Sequence, residues 1–533
     1  MNRLEHRFRQ VIGQFLPAFV VAVGLVACGD NDDGEPALPP PQIEFTACEF
    51  TLPPGQNPDD VTCGNLIVLE NRKRRNGRTV QVAFAVFKAS GPSAVADPLV
   101  FTGSGGPGIK ELDYVYLDVV DWFGAFHPDR DLVFYDQRGI GRSRPSLDCP
   151  EFRAALTATR ARAQSVEQDA ADWRAALHAC RDRLAAEGID LGAYTSAASA
   201  LDLRDLLTAL GYQSWNIYGL SYGTRLALTV MRDAPEGIRS VVLDSTVPVQ
   251  SNYLADVAAS MQRTLDLIFA SCAADPSCAA VYPDLEQTFF DLVDRLNREP
   301  ATLQGTDPGT KEPITVVVTG DRLLLSVRNW LYDRTLIPLF PLVISTAARG
   351  NYALLSSFVV QPVDTSRADG MFYSVNCSEE MPFITPEVVE AATAGVREEI
   401  KRVIVAWGTQ SWLDICAFWG TEPPPAIENE PVVSNIPTLV LAGEYDPITP
   451  PAYGRLAADS LSPSYVFELR GFAHGIFSPG CATDLKLAFL NDPTNPPDGS
   501  CVDGLPPLRF TGAQNAAGVE QIPTFTRRLP AMP

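Results

Sequence analysis

The sequence predicts an α/β protein in which a mostly parallel, doubly wound sheet carries a mainly helical insertion as a cap. Three observations predict it. Short apolar runs alternate with helix-patterned segments in the first half of the chain. That rhythm stops after Pro248 and returns at Thr438. One tight glycine turn, Gly219-Leu220-Ser221-Tyr222-Gly223, lies between a strand-like run and a helix-like one. Parallel strands need long crossovers, and helices are the crossovers that cover both faces of such a sheet.

In chain order, residues 66–69 and 79–88 read as strands, and 99–102 is a short apolar strand opening into Gly103-Ser104-Gly105-Gly106-Pro107-Gly108. Residues 131–135 form the next buried strand, closed by Asp136-Gln137-Arg138-Gly139. Segment 166–186 is helical in pattern. In 201–210, Leu201, Leu203, Leu206, Leu207 and Leu210 make one broad apolar face. Strand 215–218, helix 224–231 and strand 240–243 follow. Residues 251–425 read as mostly helical, with an extended piece at 315–319. Strands return at 438–442 and 465–469. The expected organisation is core at 43–250, cap at 251–425, core again at 426–510 and a tail at 511–533.

The composition is that of a folded chain: 46% hydrophobic and 20% charged over 533 residues, long enough for a main domain plus an insertion. A net charge of −22 repels polyanions and argues against nucleic acid as a partner. The first residues read as a targeting segment. Arg3, Arg7 and Arg9 precede an apolar run over 11–27 that ends in Leu25-Val26-Ala27-Cys28. This looks like a bacterial lipoprotein signal over 1–27 with Cys28 as the lipidated residue, which places the protein in the cell envelope. An uncleaved anchor and an ordinary signal peptide are the alternatives. Residues 28–42, rich in Asp and Pro, are the expected tether. The lipid is the expected membrane contact, since no other stretch has the ~20 apolar residues of a spanning helix.

Of 11 cysteines, ten remain once Cys28 is set aside, in neighbouring couples: Cys48/Cys63, Cys149/Cys180, Cys272/Cys278, Cys377/Cys416 and Cys481/Cys501. An oxidising compartment would join them, and nearest-neighbour pairing is the simplest of the possible connectivities. No Cys-x-x-Cys occurs, histidines number 4, and the glycine loop lacks a Gly-Lys-Ser/Thr ending. Neither a metal site nor a cofactor is expected.

Gly-x-Ser-x-Gly between strand and helix reads as a nucleophile elbow, with Ser221 as nucleophile. A serine hydroxyl needs a base. His6 lies in the targeting segment, His127 precedes a strand and His178 sits in a helix. His474 follows the last predicted strand, in Gly471-Phe472-Ala473-His474-Gly475, where a base is delivered. Asp446, after the strand at 438–442, is the expected orienting acid, with Glu444 and Asp244 as competitors. Two backbone donors are needed for a tetrahedral oxyanion: the N–H of Tyr222, and one from the glycine loop, Gly106 or else Gly105.

Several of these motifs coincide in one known family. Ser104-Gly105-Gly106-Pro107-Gly108 resembles the His-Gly-Gly-Pro-Gly loop of proline iminopeptidases, with Ser in place of His. The segment from Asp136 to Ser143 is similar to that family's Asp-Gln-Arg-Gly segment. Gly219-Leu220-Ser221-Tyr222-Gly223-Thr224, Val242-Leu243-Asp244, the segment from Gly443 to Pro450, and His474-Gly475 look like the tripeptidyl aminopeptidase branch. The resemblance spans about residues 45–505 and implies an exported α/β-hydrolase that releases residues or short peptides from free N-termini. Its substrate would be a peptide or a small acyl compound. Such an enzyme must bind a protonated amine, and Glu379 and Glu380, beside Cys377, are candidate anchors; a solvated acidic pair is the bland alternative. Two other functions compete: an esterase or lactonase with the same three residues, and a lipid-tethered binding protein that kept only the fold.

Overall fold

A computed structural model describes residues 40–74, 77–92, 94–115, 122–307, 310–477 and 480–511. Cys28, the targeting segment, nearly all of the tether and the tail beyond 511 lie outside the described residues. The strands are β1 (Gln42–Thr46), β2 (Val61–Leu69), β3 (Thr79–Phe87), β4 (Leu99–Phe101), β5 (Leu132–Tyr135), β6 (Trp215–Leu220), β7 (Ile238–Asp244), β8 (Ala301–Thr306), β9 (Pro313–Val318), β10 (Thr438–Gly443) and β11 (Ser464–Leu469). Nine of these form one sheet in the order β1-β2-β3-β5-β4-β6-β7-β10-β11. The pairs β1/β2, β2/β3 and β3/β5 are antiparallel, and all pairs from β5 to β11 are parallel.

Central strands β6 and β10 are buried at every position, as expected of parallel strands covered on both faces. Their side chains alternate between two cores. Ile217, Val241 and Val440 pack on one face, and Tyr218, Val242 and Leu441 on the other. The helices on these faces start at local signals: Ser165 and Gln168 form a reciprocal cap on Val166–Ala186, and the Thr195 hydroxyl caps Ser196–Ala209. Register then sets the site. Asp244 of β7 lies opposite Leu220 of β6 and Leu441 of β10. The carboxyl ends of three adjacent strands are therefore level, and the residues just beyond them converge, as at the ligand crevice of open α/β sheets.

Between β7 and β10 the chain is helical except for the hairpin β8–β9. The extended piece expected at 315–319 is largely β9; its partner β8 carries no sequence signal of its own. Leu254 and Met371 from this region pack in the same core as Val440 of the sheet. Five disulfides join Cys48–Cys63, Cys149–Cys180, Cys272–Cys278, Cys377–Cys416 and Cys481–Cys501. Arg138, fully buried, forms a two-point ion pair with Asp202 and donates to the carbonyls of Glu70 and Ala193, which locks the segment after β5. Among the described residues, no helix is long and apolar enough to cross a membrane.

Candidate active site

Ser221 sits between β6 and the helix Tyr222–Asp233 with φ 55° and ψ −124°, a conformation that costs a non-glycine residue energy and persists only where its surroundings impose it. Both glycines of the turn are required by close approach. A Cβ at residue 219 would lie 2.4 Å from the carbonyl oxygen of Gly223, and one at residue 223 would lie 2.1 Å from that of Gly103. The turn is tied to its neighbours. The Ser221 N–H donates to the Asp244 carbonyl (3.0 Å), the Leu220 N–H to the Gly103 carbonyl (3.2 Å) and the Thr102 hydroxyl to the Gly223 carbonyl (2.8 Å).

His474 lies 2.8 Å, through Nδ1, from Asp446 Oδ2. Asp446 is fully buried, and all of its acceptor capacity is directed. Oδ1 accepts from the backbone N–H groups of Ile448 (3.0 Å) and Thr449 (2.8 Å), and Oδ2 also accepts from the Thr449 hydroxyl (2.6 Å). Burial by itself would raise this carboxyl. The neighbouring imidazole and the Thr449 hydroxyl and N–H outweigh it and hold Asp446 below the ordinary carboxylate range. The competing acids point elsewhere. Glu444 accepts from the Gly471 N–H (2.8 Å), and Asp244 accepts from the Ile476 N–H and the Tyr218 hydroxyl.

Ser221 and His474 line one small pocket of about 20 Å³, together with Ser104, Gly105, Gly106, Tyr222, Tyr253 and Tyr332. That is the room of about one water. No direct hydrogen bond joins Ser221 to His474 here; such bonds are often long in unliganded sites and tighten around substrate. Tyr222 opens the helix, so its N–H has no intrahelical acceptor. The glycine loop is held from below. Both the N–H and the hydroxyl of Ser104 donate to Glu111 Oε1 (2.7 and 2.9 Å), the Gln137 amide donates to the Thr102 carbonyl (3.1 Å), and the Asp136 carboxylate accepts from Leu112 N–H (3.1 Å). Ser104, the departure from the His-Gly-Gly-Pro-Gly pattern, is thus a loop anchor.

Glu379 and Glu380 require a correction. Both are 2% exposed, and neither lines the Ser221 pocket. Glu379 accepts from the N–H and hydroxyl of Ser196 and lies 3.3 Å from Arg225 Nε; Glu380 lies 2.6 Å from Arg225 Nη1. A buried guanidinium needs acidic neighbours, and both side chains face Arg225 instead of the pocket. Burial, opposed by Arg225, pushes Glu380 up to about 8, and burial also raises Glu379.

Two features escaped the sequence. The Tyr332 ring, from the mostly helical segment between β7 and β10, packs edge-on against His474 at 4.8 Å between centroids. Tyr332 also borders a larger groove of about 380 Å³, walled by Trp173, Trp330, Phe358 and Trp407 and containing Asp333 and Asp364. These two half-buried carboxylates accept only from nearby Thr335 and Ser366 and form no ion pair among the described residues. No periodicity marks a tyrosine that meets a histidine 142 residues later. By contrast, the Thr449 contact lies inside a motif already singled out. Among the described residues, no group of His, Cys, Asp and Glu has the arrangement of a metal site.

A family model described as the alpha/beta hydrolase fold matches residues 104–480. The chain is 25% identical over 514 residues to serine protease Hip1 of Mycobacterium tuberculosis (strain ATCC 25618 / H37Rv), covering 90% of this chain and 95% of that protein. It is 27% identical over 197 residues to tripeptidyl aminopeptidase of Streptomyces lividans, covering 36% of each. The solved proline iminopeptidase of Mycobacterium smegmatis aligns with a TM-score of 0.33 and 16% identity, covering 78% of this chain and 91% of that one. With the family matched over most of its length, the chain belongs to the α/β-hydrolase fold family and is a peptidase-like serine hydrolase.

Proposed function

We propose that the protein is an exported exopeptidase that transfers an acyl group to Ser221 and then to water. Ser221 Oγ attacks the scissile carbonyl, and His474 takes its proton. Asp446 holds the imidazole tautomer and stabilises the imidazolium. The N–H groups of Tyr222 and Gly106 receive the negative oxygen of the tetrahedral intermediate. Its collapse expels the amine, protonated by His474, and leaves an acyl-enzyme. A water activated by the same histidine then releases the acid. The observation that carries this reading is the shared pocket. A serine in a strained elbow meets a histidine whose other nitrogen is fixed by a buried carboxylate at 2.8 Å.

The substrate reading rests on the adjoining groove. The Ser221 pocket is too small for a residue, so the acyl portion extends past Tyr332 into the aromatic groove. There, Asp333 and Asp364 are the carboxylates available for a free α-ammonium. Relatives named as serine protease and tripeptidyl aminopeptidase favour a peptide over a simple ester. Residues 1–27 act as a lipoprotein signal with Cys28 as the anchor, a reading supported by five disulfides, which persist in oxidising compartments.

The test compares free and N-acetylated peptide amides on the purified enzyme. Acetylation removes the positive charge, and losing a charge-assisted contact of about 1.5–3 kcal/mol lowers kcat/KM roughly ten- to a hundredfold. Asp333→Asn or Asp364→Asn then narrows that gap. Equal cleavage of free and blocked peptides overturns the amine anchor, and preference for short esters over both replaces the peptidase with an esterase.

A further inference from the structure

One dipeptide touches both halves of the reaction centre. At the carboxyl end of β7, the Asp244 carbonyl accepts the Ser221 N–H (3.0 Å). Its carboxylate, wholly buried, accepts the N–H of Ile476 with both oxygens at 3.0 Å. The next residue, Ser245, accepts the Gly475 N–H on its hydroxyl (2.9 Å) and donates its own N–H to the Leu441 carbonyl (2.9 Å) of β10, the strand that leads to Asp446. Gly475 and Ile476 directly follow His474. The serine, the histidine loop and the acid-bearing strand are therefore fastened to two consecutive residues.

Two further observations set this dipeptide apart from ordinary packing. Ser245 has φ 56°, one of three non-glycine residues with positive φ among those described, Ser221 being another. Strain of this kind is retained where a site over-determines the backbone. Burial raises the Asp244 carboxyl, and the buried ammonium of Lys486 opposes that rise. Lys486, 2% exposed on the helix Cys481–Asn491, donates to the Ile476 carbonyl (2.8 Å), so the residue whose N–H meets Asp244 is gripped from both sides. The Tyr218 hydroxyl completes the cluster by donating to Asp244 (2.5 Å).

We infer that Asp244 and Ser245 are positioning residues that set the spacing of Ser221 from His474, with Lys486 bracing Ile476 from its carbonyl side. The inference rests on the reading of Ser221 and His474 as nucleophile and base. Asp244, weighed above as a competing acid, acts through the backbone behind the histidine instead of through the imidazole.

Ser245→Gly separates positioning from stability. Glycine accepts φ 56° without strain, so the fold is kept or strengthened, while the hydroxyl grip on Gly475 is lost. The expected result is a Tm at or above that of the parent, KM within about twofold and kcat lowered roughly tenfold. Fluorophosphonate labelling of Ser221 slows by a similar factor. Asp244→Asn, paired with Lys486→Met so that no lone buried charge remains, lowers kcat in the same way, with folding checked by circular dichroism. Ser245→Gly with the parent's kcat and labelling rate overturns the inference, whatever Asp244→Asn does. Ser221→Ala is the separate control: if it stays active, the nucleophile reading itself fails, whereas an inert Ser221→Ala beside a fully active Ser245→Gly refutes the clamp alone.

Discussion

Asp446→Asn is the substitution whose outcome the hydrogen-bond geometry decides. An asparagine has one carbonyl oxygen and one NH₂ in place of two equivalent oxygens. At this site their placement is forced. Position Oδ1 faces two backbone donors, Ile448 N–H at 3.0 Å and Thr449 N–H at 2.8 Å, and neither can turn away. The amide oxygen must go there. The NH₂ then occupies the Oδ2 position, 2.8 Å from His474 Nδ1, where it can only donate. The imidazole must accept on Nδ1 and carry its proton on the other nitrogen, the one a base needs free. The Thr449 hydroxyl, 2.6 Å from the same position, rotates from donor to acceptor, so the fold loses little, about 1 kcal/mol or less. Locking the wrong tautomer lowers kcat by about 10⁴, or about 5.5 kcal/mol of transition-state stabilisation. The assay is turnover of a chromogenic peptide anilide by the purified variant, alongside thermal melts. A variant that retains more than about a tenth of the parent's kcat would refute both the forced orientation and the role given to Asp446.

Gly223→Ala sets a methyl 2.1 Å from the Gly103 carbonyl oxygen, a backbone atom with no side-chain freedom; an overpacking cost of about 1–3 kcal/mol in urea unfolding, together with lost turnover, is expected. Glu380 governs part of the pH dependence of stability. Burial raises it from 4.5 to about 8, so the folded protein holds a proton that the unfolded chain releases across that window. Its contribution is fully present below about 4.5 and is lost as pH rises through about 8. Glu380→Gln removes that term, and the fall of Tm between pH 5 and 9 becomes shallower than in the parent; parallel curves would contradict the assignment. Thiol titration in denaturant without reductant should find no reactive group among the ten cysteines from Cys48 to Cys501.

What the sequence determined alone is local in origin. The run Trp215–Leu220, the glycine-flanked Ser221 and the helix after it form one continuous strand–turn–helix unit, and its periods and its small residues are written in adjacent positions. Asp446 and His474 each lie in the loop that follows a strand end, β10 ending at Gly443 and β11 at Leu469, so their approach to the serine needed only the parallel order of the sheet. The five disulfides link residues 6 to 39 apart, within reach of neighbour order. What tertiary structure decided are partnerships across long stretches of chain. Glu379 read as a free acid beside a cysteine, yet Arg225, 154 residues away, claims it. Asp244 looked like a rival to Asp446, and only the register of β6, β7 and β10 turned it toward the backbone behind His474. Tyr332 and the aromatic groove arise where the segment between β7 and β10 packs against His474 and against the helix Val166–Ala186. Periodicity and turn chemistry encode how each segment buries itself; which buried charge meets which is settled only when distant segments are packed and every polar group must find a partner.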